Sequence, residues 1–323
     1  MDWFERLTGF REGAYEATQR KLHVHGEYLQ AGGSSRRYRI GVLELPSLEE
    51  LRRRVSDLPA AGELRFTRVQ GDVRELHRAG TNSGALFQVA SQFNLLEMVG
   101  PDVSPEDGVT RYAFDLTQGP ACAISAGAAT LYRNYLVPVG GKTGQTSNRQ
   151  LDTLTDLRER LAAQLGLSAH ELWTMKNGYT VAKREAIEVA GDWIERASDK
   201  DKDTLRASVR VGLHWNVEVT DRPEVPGSLV SQAFCSALPV SYSSIPSSVW
   251  EPLGRLILEA AYEATFCAAA LNCAQGTSRK LYLTRLGGGA FGNAPEWIDD
   301  ALERSLAIFD HHDIEAHLVQ YRP

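Results

Sequence analysis

The sequence lacks the features that mark several common protein classes. Its four cysteines include no CxxC pair, so neither a zinc site nor a disulfide framework is expected. Lys and Arg number 35 against 41 Asp and Glu, and this net charge of −6 argues against a nucleic-acid partner, which needs cations in excess on one face. No apolar run approaches the roughly 20 residues of a membrane span. The charged N-terminal segment does not resemble a signal peptide, so we expect a cytoplasmic protein without a membrane partner.

What the sequence does contain is an alternation of strand and helix patterns after a distinct N-terminal part. Residues 1–60 are predicted to form an accessory extension with one amphipathic helix, a strand near "IGVLEL" and a helix that begins after Ser47. Residues 61–323 read as the main domain, with an insertion at about 168–205. Buried and alternating strands between helices predict an α/β fold, three layers α/β/α around a mixed central sheet, with a helical N-terminal extension.

The stretch "LYLTRLGGGAFGNAPEWI", residues 281–298, joins an apolar strand to a helix through three consecutive glycines. Glycines expose neighbouring N–H groups, and Asn293 as N-cap with Pro295 in the first turn would add the positive end of a helix. This combination predicts a phosphate site. A tight turn that needs glycine only for its dihedral angles is the alternative.

Two familiar phosphate motifs do not fit this loop. It has no Gly-Lys-Ser/Thr ending, which excludes a P-loop. Gly287, Gly289 and Gly292 satisfy GxGxxG, but too little chain follows to form the second half of a dinucleotide fold.

Four stretches taken together resemble the macrodomain family: "VQGDV" (69–73), "FQVASQFN" (87–94), "TQGPACA" (117–123) and the glycine loop. The resemblance covers residues 62–323 without the insertion, and it implies a macrodomain-like fold with ADP-ribose as ligand. By this resemblance Asp72 would hold the adenine amino group, Asn94 would reach the distal ribose, and Phe291 would lie beside that ribose. The remaining binding residues implied by the family are Gln118, Gly119 and Ala121 in the first loop, and Gly287, Gly288, Gly289, Ala290, Gly292 and Asn293 around the diphosphate.

The pattern is similar to a divergent macrodomain branch that includes bacterial effectors removing ADP-ribose from arginine. The first loop lacks the paired glutamates of poly(ADP-ribose) glycohydrolases, so the resemblance implies a hydrolase of mono-ADP-ribosylated protein and no cofactor or metal. Two alternatives stay open at this point. One is a non-catalytic reader of ADP-ribosylated proteins, and the other is a hydrolase of a free ADP-ribose derivative.

Hydrolysis of an arginine N-glycosidic bond needs a carboxylate near the ribose. In "VGLHWNVEVTD" a period of two predicts His214, Asn216 and Glu218 on one face of a strand. Glu218 and Asp221 are the first candidates for acid/base or guanidinium-orienting roles, Asp115 is the other, and His214 and Asn216 on the same strand face are also candidate catalytic residues. A solvated strand face is the alternative interpretation.

Overall fold

The computed structural model describes residues 1–32, 34–59 and 62–321. The predicted domain boundary between residues 60 and 61 lies outside the described residues. The strands within these ranges are β1 (Leu22–His25), β2 (Tyr28–Ala31), β3 (Arg37–Arg39), β4 (Val42–Glu44), β5 (Arg65–Gln70), β6 (Leu86–Ala90), β7 (Pro138–Val139), β8 (Lys142–Thr143), β9 (Thr174–Lys176), β10 (Tyr179–Val181), β11 (Gly212–Glu218), β12 (Leu229–Cys235), β13 (Lys280–Leu283) and β14 (Glu315–Gln320).

The helices are similarly distributed along the chain. The α-helices are α1 (Trp3–Thr8), α2 (Tyr15–Gln19), α3 (Leu48–Ser56), α4 (Val73–Arg78), α5 (Gln118–Ser125), α6 (Gly127–Leu131), α7 (Thr155–Leu165), α8 (Ala169–Leu172), α9 (Arg184–Arg196), α10 (Asp199–Ala207), α11 (Ser247–Ala274) and α12 (Pro295–Ile308). Short 3₁₀ turns cover Gly80–Asn82, Pro105–Asp107, Thr110–Phe114 and Val240–Tyr242, and a π-helical turn covers Tyr132–Leu136.

Seven strands form the central sheet in the order β4-β11-β12-β6-β13-β14-β5. The five strands from β12 to β5 are mutually parallel, whereas β11 runs antiparallel to both of its neighbours. The carboxyl ends of β6 and β13 therefore lie side by side at one edge of the sheet, and the carboxyl end of β11 lies at the opposite edge. This difference in direction decides which predicted residues can meet.

Each face of the sheet packs on its own helical layer. In β6 the neighbours Leu86 and Phe87 point into different cores, as expected for a strand buried on both faces. The Leu86 core includes α3, α11 and α12, and the Phe87 core includes α4, α5 and α6. The predicted three-layer α/β/α fold with a mixed central sheet is confirmed.

The N-terminal part contains more strand than its sequence suggested. The single predicted helix is divided in two, because Gly9 takes a left-handed conformation that caps α1. β1, β2 and β3 form a separate antiparallel sheet, and β4 joins the edge of the central sheet. The capping box of Ser47 and Glu50 at the start of α3 is present as predicted.

Helix α11 is the one described segment whose length and apolar composition would suffice to cross a membrane. Its most apolar 18-residue window is 89% buried inside the protein, which is also what the core helix of a folded domain shows. On its polar side the buried Glu263 accepts hydrogen bonds from Arg52 of α3 and Arg304 of α12, at 2.5 and 2.6 Å. These ion pairs tie the helices of one layer together.

Candidate functional site

A cavity of about 220 Å³ opens at the carboxyl ends of the parallel strands β6 and β13. Its walls come from the residues after β6, the loop after β13 and the first turn of α5. Open α/β sheets place their ligands at this edge, because the loops of neighbouring strands diverge there. Twenty residues line it: Ala90, Ser91, Gln92, Glu97, Met98, Val99, Asp115, Thr117, Gln118, Gly119, Pro120, Tyr179, Tyr242, Thr284, Arg285, Leu286, Gly287, Gly289, Ala290 and Phe291.

Hydrogen bonds to carbonyl groups of the glycine loop and of Leu238 hold the loop in place. The side-chain amide of Asn293 donates to Leu238 O at 2.8 Å, and the backbone N–H of Asn293 donates to Gly287 O at 3.0 Å. The hydroxyl of Ser241 donates to Ala290 O, and the N–H of Ser241 donates to Phe291 O at 3.0 Å. In a trans peptide the N–H points opposite to the carbonyl, so the N–H of Phe291 points away from Ser241.

Several N–H groups of this loop remain available to a ligand. Within the described chain, the N–H groups of Gly287, Gly289, Ala290 and Phe291 donate to no protein acceptor. Gly287 has a φ of +74°, and a Cβ there would lie 2.5 Å from the Cβ of Ala237, so both conformation and space require glycine. A Cβ on Gly289 would meet no atom of the described residues within 4 Å, so this position faces open space among them.

Helix α5 presents a second set of donors to the same cavity. Gln118 and Gly119 form its first positions, no side chain of the described residues caps it, and Pro120 has no N–H. A Cβ on Gly119 would lie 2.1 Å from Ala90 O and 2.5 Å from Glu97 Oε2, so only glycine lets the helix start this close to β6. The helix end and the glycine loop together give backbone donors from two directions, the arrangement that binds a phosphate group.

Two carboxyl groups of the described residues line the cavity. Asp115 is half-buried, and its Oδ1 accepts a hydrogen bond from the N–H of Thr117 at 2.9 Å. Glu97 is 4% exposed, and its Oε1 is buried without a hydrogen-bond partner among the described residues. Burial raises the pKa of Glu97 well above its ordinary value, the nearby Asp115 raises it further, and Arg133 opposes the shift. Burial therefore favours the protonated form of Glu97, the form that can donate a proton.

Arg133 lies in the buried layer behind Glu97. Its guanidinium donates to Leu95 O and Thr130 Oγ1, and its carbon lies 3.9 Å from the centre of the Phe234 ring. Burial lowers the pKa of Arg133 to about 10, so it stays charged at neutral pH. A third polar contact of the guanidinium, at 3.1 Å, is with the Nδ1 of His214.

Three aromatic rings close one end of the cavity. The rings of Tyr179, Tyr242 and Phe291 have centroid distances between 5.2 and 5.7 Å. The hydroxyl of Tyr179 donates to Met98 O at 2.8 Å, which connects the aromatic cluster to the segment that carries Glu97. Tyr179 belongs to β10, within the stretch predicted to be an insertion, so that stretch contributes directly to the site.

The structure brings seven of the sequence-predicted residues to the cavity: Asp115, Gln118, Gly119, Gly287, Gly289, Ala290 and Phe291. Gly288, Gly292, Asn293 and Ala121 belong to the same two segments but do not line it. A Cβ on Gly288 would lie 3.0 Å from the Ile298 side chain. A Cβ on Gly292 would lie 3.0 Å from Ser241. The predicted N-cap role of Asn293 is wrong, because α12 is capped at Ala294 and Asn293 instead holds the loop.

Asp72 and Asn94 lie near the cavity without lining it. Asp72 caps α4 through the N–H of Arg74, and the next residue, Val73, donates its N–H to Gln118 Oε1 at 3.1 Å. A small void beside this contact is lined by Val73, Gln118 and Tyr282. Asn94 is fully buried, where it accepts from Leu96 N and donates to Gln150 Oε1.

The structure places the four other catalytic candidates away from the cavity. Glu218 accepts a hydrogen bond from the N–H of Arg39 at 2.8 Å, and Asp221 is bound by Arg74 and Arg78. The positions of Glu218 and Asp221 follow from the direction of β11, whose carboxyl end is at the opposite sheet edge. A β-bulge between His214 and Val217, with a φ of +55° at Asn216, also breaks the predicted alternation.

His214 and Asn216 consequently do not form one polar row with Glu218. His214 is fully buried against Arg133, and burial together with that positive charge lowers the pKa of His214 well below its ordinary value. The geometry thus gives the predicted catalytic roles of these four residues no support. The sequence reasoning missed Glu97, Tyr179 and Tyr242. Of these, only Glu97 had a local signal, an acidic residue in an otherwise apolar stretch after a buried strand.

Comparisons with known proteins give structural similarity only. No family model and no curated protein matches the sequence. A mutant poly(ADP-ribose) glycohydrolase from Deinococcus radiodurans in complex with ADP-ribose is 11% identical with a TM-score of 0.44, over 97% of this chain and 92% of that chain. The enzyme from Thermomonospora curvata is 14% identical with a TM-score of 0.43, over 95% and 89%. The same enzyme bound to the inhibitor ADP-HPD is 13% identical with a TM-score of 0.42, over 95% and 89%.

Proposed function

We propose that the protein binds ADP-ribose in this cavity and hydrolyses mono-ADP-ribose from a protein side chain, with arginine as the modified residue. The observation that carries the proposal is the convergence of two backbone donor sets, Gly287 to Phe291 and the start of α5, on a cavity that also holds two carboxyl groups. Backbone N–H groups suit a diphosphate, because they donate without a side chain that must be desolvated. The one cationic side chain in the described lining, Arg285, is engaged by Asp299 at 2.6 Å.

The residues around the donors support one orientation of the ligand. The aromatic cluster of Tyr179, Tyr242 and Phe291 lies on the side of Glu97, and this end suits the distal ribose. Val73 and the void beside Gln118 lie on the other side, next to Asp72, and this end suits the adenine. We therefore assign the scissile bond to the end of the cavity that holds Glu97 and Asp115.

In the proposed reaction the bond between the ribose carbon and the arginine nitrogen breaks, and its electron pair leaves with the nitrogen. Asp115 takes a proton from the water that attacks the oxocarbenium-like carbon, and neutral Glu97 gives its proton to the departing guanidine. The products are ADP-ribose and a protonated arginine side chain. A subsequent proton exchange with water restores Asp115 as the base and Glu97 as the acid.

The test is release of ADP-ribose from arginine-ADP-ribosylated protein. Asp115→Asn and Glu97→Gln should each lower kcat by roughly 10² to 10⁴, the usual contribution of a positioned acid or base. Glu218→Gln is the matched control, because its carboxylate lies at the opposite sheet edge and glutamine can still accept from Arg39. Binding of ADP-ribose without any release would favour the reader, and release only from free ADP-ribose esters would favour the hydrolase of a free derivative.

A further inference from the structure

The segment that carries Asp115 also carries two large apolar side chains that the fold leaves in solvent. Phe114 is 85% exposed and Leu116 is 80% exposed. Apart from Met1, the other exposed large hydrophobic residues of the described chain are at most 55% exposed. One of these is Val99 at 55%, which lines the cavity itself. We call Val99, Phe114 and Leu116 the apolar rim.

The exposure of the rim is not the result of a loose segment. The carboxylate of Glu12 accepts hydrogen bonds from Val109 N and Thr110 N at 2.8 and 2.7 Å, and Trp3 donates to Thr110 O at 3.2 Å. Tyr112 is 1% exposed and anchors the same turn in the core. These contacts fix the backbone around Phe114 and Leu116, whose side chains extend into solvent. Apolar side chains held in solvent beside a site commonly mark a contact surface.

The position of the rim identifies what it contacts. Phe114 and Leu116 immediately flank Asp115, which lines the end of the cavity assigned to the scissile bond. A group attached to the ribose must leave the cavity at this end. In a modified protein the attached group continues as polypeptide, whereas a free nucleotide derivative has nothing apolar beyond the cavity to cover two such side chains.

We propose that the apolar rim binds the polypeptide on either side of the modified residue, and so selects protein-linked ADP-ribose over small ADP-ribosylated molecules. This inference rests on the proposed function. The occupant is a segment of the substrate protein with apolar side chains next to the modified arginine. Contact between the rim and the nucleotide itself is the competing arrangement, and the experiment separates the two.

The experiment compares two substrates, arginine-ADP-ribosylated protein and free ADP-ribosyl-arginine, with the double variant Phe114→Ser/Leu116→Ser in the full chain. On the protein substrate we expect at least a tenfold loss of kcat/KM, carried by KM with kcat unchanged. On ADP-ribosyl-arginine we expect kcat/KM within twofold of the unaltered protein. The matched control is Val189→Ser/Ile308→Ser, which removes two other large hydrophobic residues, 49% and 43% exposed on α9 and α12. It should leave both substrates unaffected.

Every other outcome contradicts either the rim proposal or the proposed function. Equal losses of kcat/KM on both substrates would mean that the rim contacts the nucleotide. An unchanged kcat/KM on the protein substrate would mean that the rim contacts no part of the substrate. An unaltered protein that neither binds ADP-ribose nor acts on either substrate would instead refute the proposed function, and the rim proposal with it. Thermal unfolding of the variants should match that of the unaltered protein, because the replaced side chains are in solvent.

Discussion

Replacement of Gly289 by leucine tests the ligand-binding loop with the least disturbance to the fold. The φ of Gly289 lies outside the left-handed region, and a Cβ at this position meets no atom within 4 Å in the part of the chain that the structure describes. A side chain is therefore accommodated without strain, and the free energy of unfolding should change by no more than about 0.5 kcal/mol. In the cavity, the same side chain would occupy the space of the diphosphate.

The expected loss of affinity follows from the donors that become inaccessible. The N–H groups of Gly289 and Ala290 have no acceptor in the described protein, so both are available to the ligand. A hydrogen bond to a charged group contributes roughly 1.5 to 3 kcal/mol, and loss of two weakens ADP-ribose binding by about 10² to 10⁴. Calorimetric titration measures this loss. Gly13→Leu is the matched control, since a Cβ at Gly13 also meets no described atom within 4 Å. Unchanged affinity in Gly289→Leu would refute our placement of the diphosphate.

Three further predictions concern carboxyl groups. Glu263→Ala should lower the free energy of unfolding in urea by roughly 3 kcal/mol, because two arginines lose a buried partner. Burial alone raises the pKa of Glu263, but hydrogen bonds from the arginines keep this pKa below its ordinary value. The stabilisation should therefore be lost as pH falls through the folded-state pKa. Glu12→Ala removes the acceptor of two backbone N–H groups and of the Tyr135 hydroxyl. It should lower the free energy of unfolding by at least about 3 kcal/mol and should also lower turnover. An unchanged urea midpoint would contradict this prediction. Glu97→Gln should remove the alkaline limb of the pH–rate profile. The pKa of Glu97 is raised in the folded protein, so the stability that this group contributes is fully present below its unfolded-state pKa and is lost as pH rises through its folded-state pKa. The Glu97→Gln variant should therefore be more stable than the unaltered protein at pH 8 but not at pH 4.

Features that depend on neighbours in the chain were the ones accessible from sequence. The capping box of Ser47 and Glu50 formed as predicted because its partners are three residues apart. The glycine loop, the helix after it and the fold class followed from patterns of the same local kind. Asn293 failed as a cap because the helix starts one residue later, after Ala294, and the Asn293 side-chain amide donates to the distant Leu238 O.

The remaining features of the site depend on how strands are directed and paired. Glu218 ends β11, but only the antiparallel pairing of this strand reveals that its end is remote from the cavity. The bulge at Asn216 shifts the face of every residue after it, which an uninterrupted period of two does not show. Tyr179 reaches the cavity through tertiary packing, and a charged stretch of sequence around it gave no sign of that contact.

The most direct test of the central claim is a crystal structure of the protein soaked with ADP-ribose. We predict diphosphate oxygens within hydrogen-bonding distance of the N–H groups of Gly289, Ala290 and Phe291 and of the first turn of α5, with the distal ribose beside Glu97 and Asp115. A nucleotide bound elsewhere on the molecule, or a diphosphate held by side chains with these N–H groups still free, would contradict the claim.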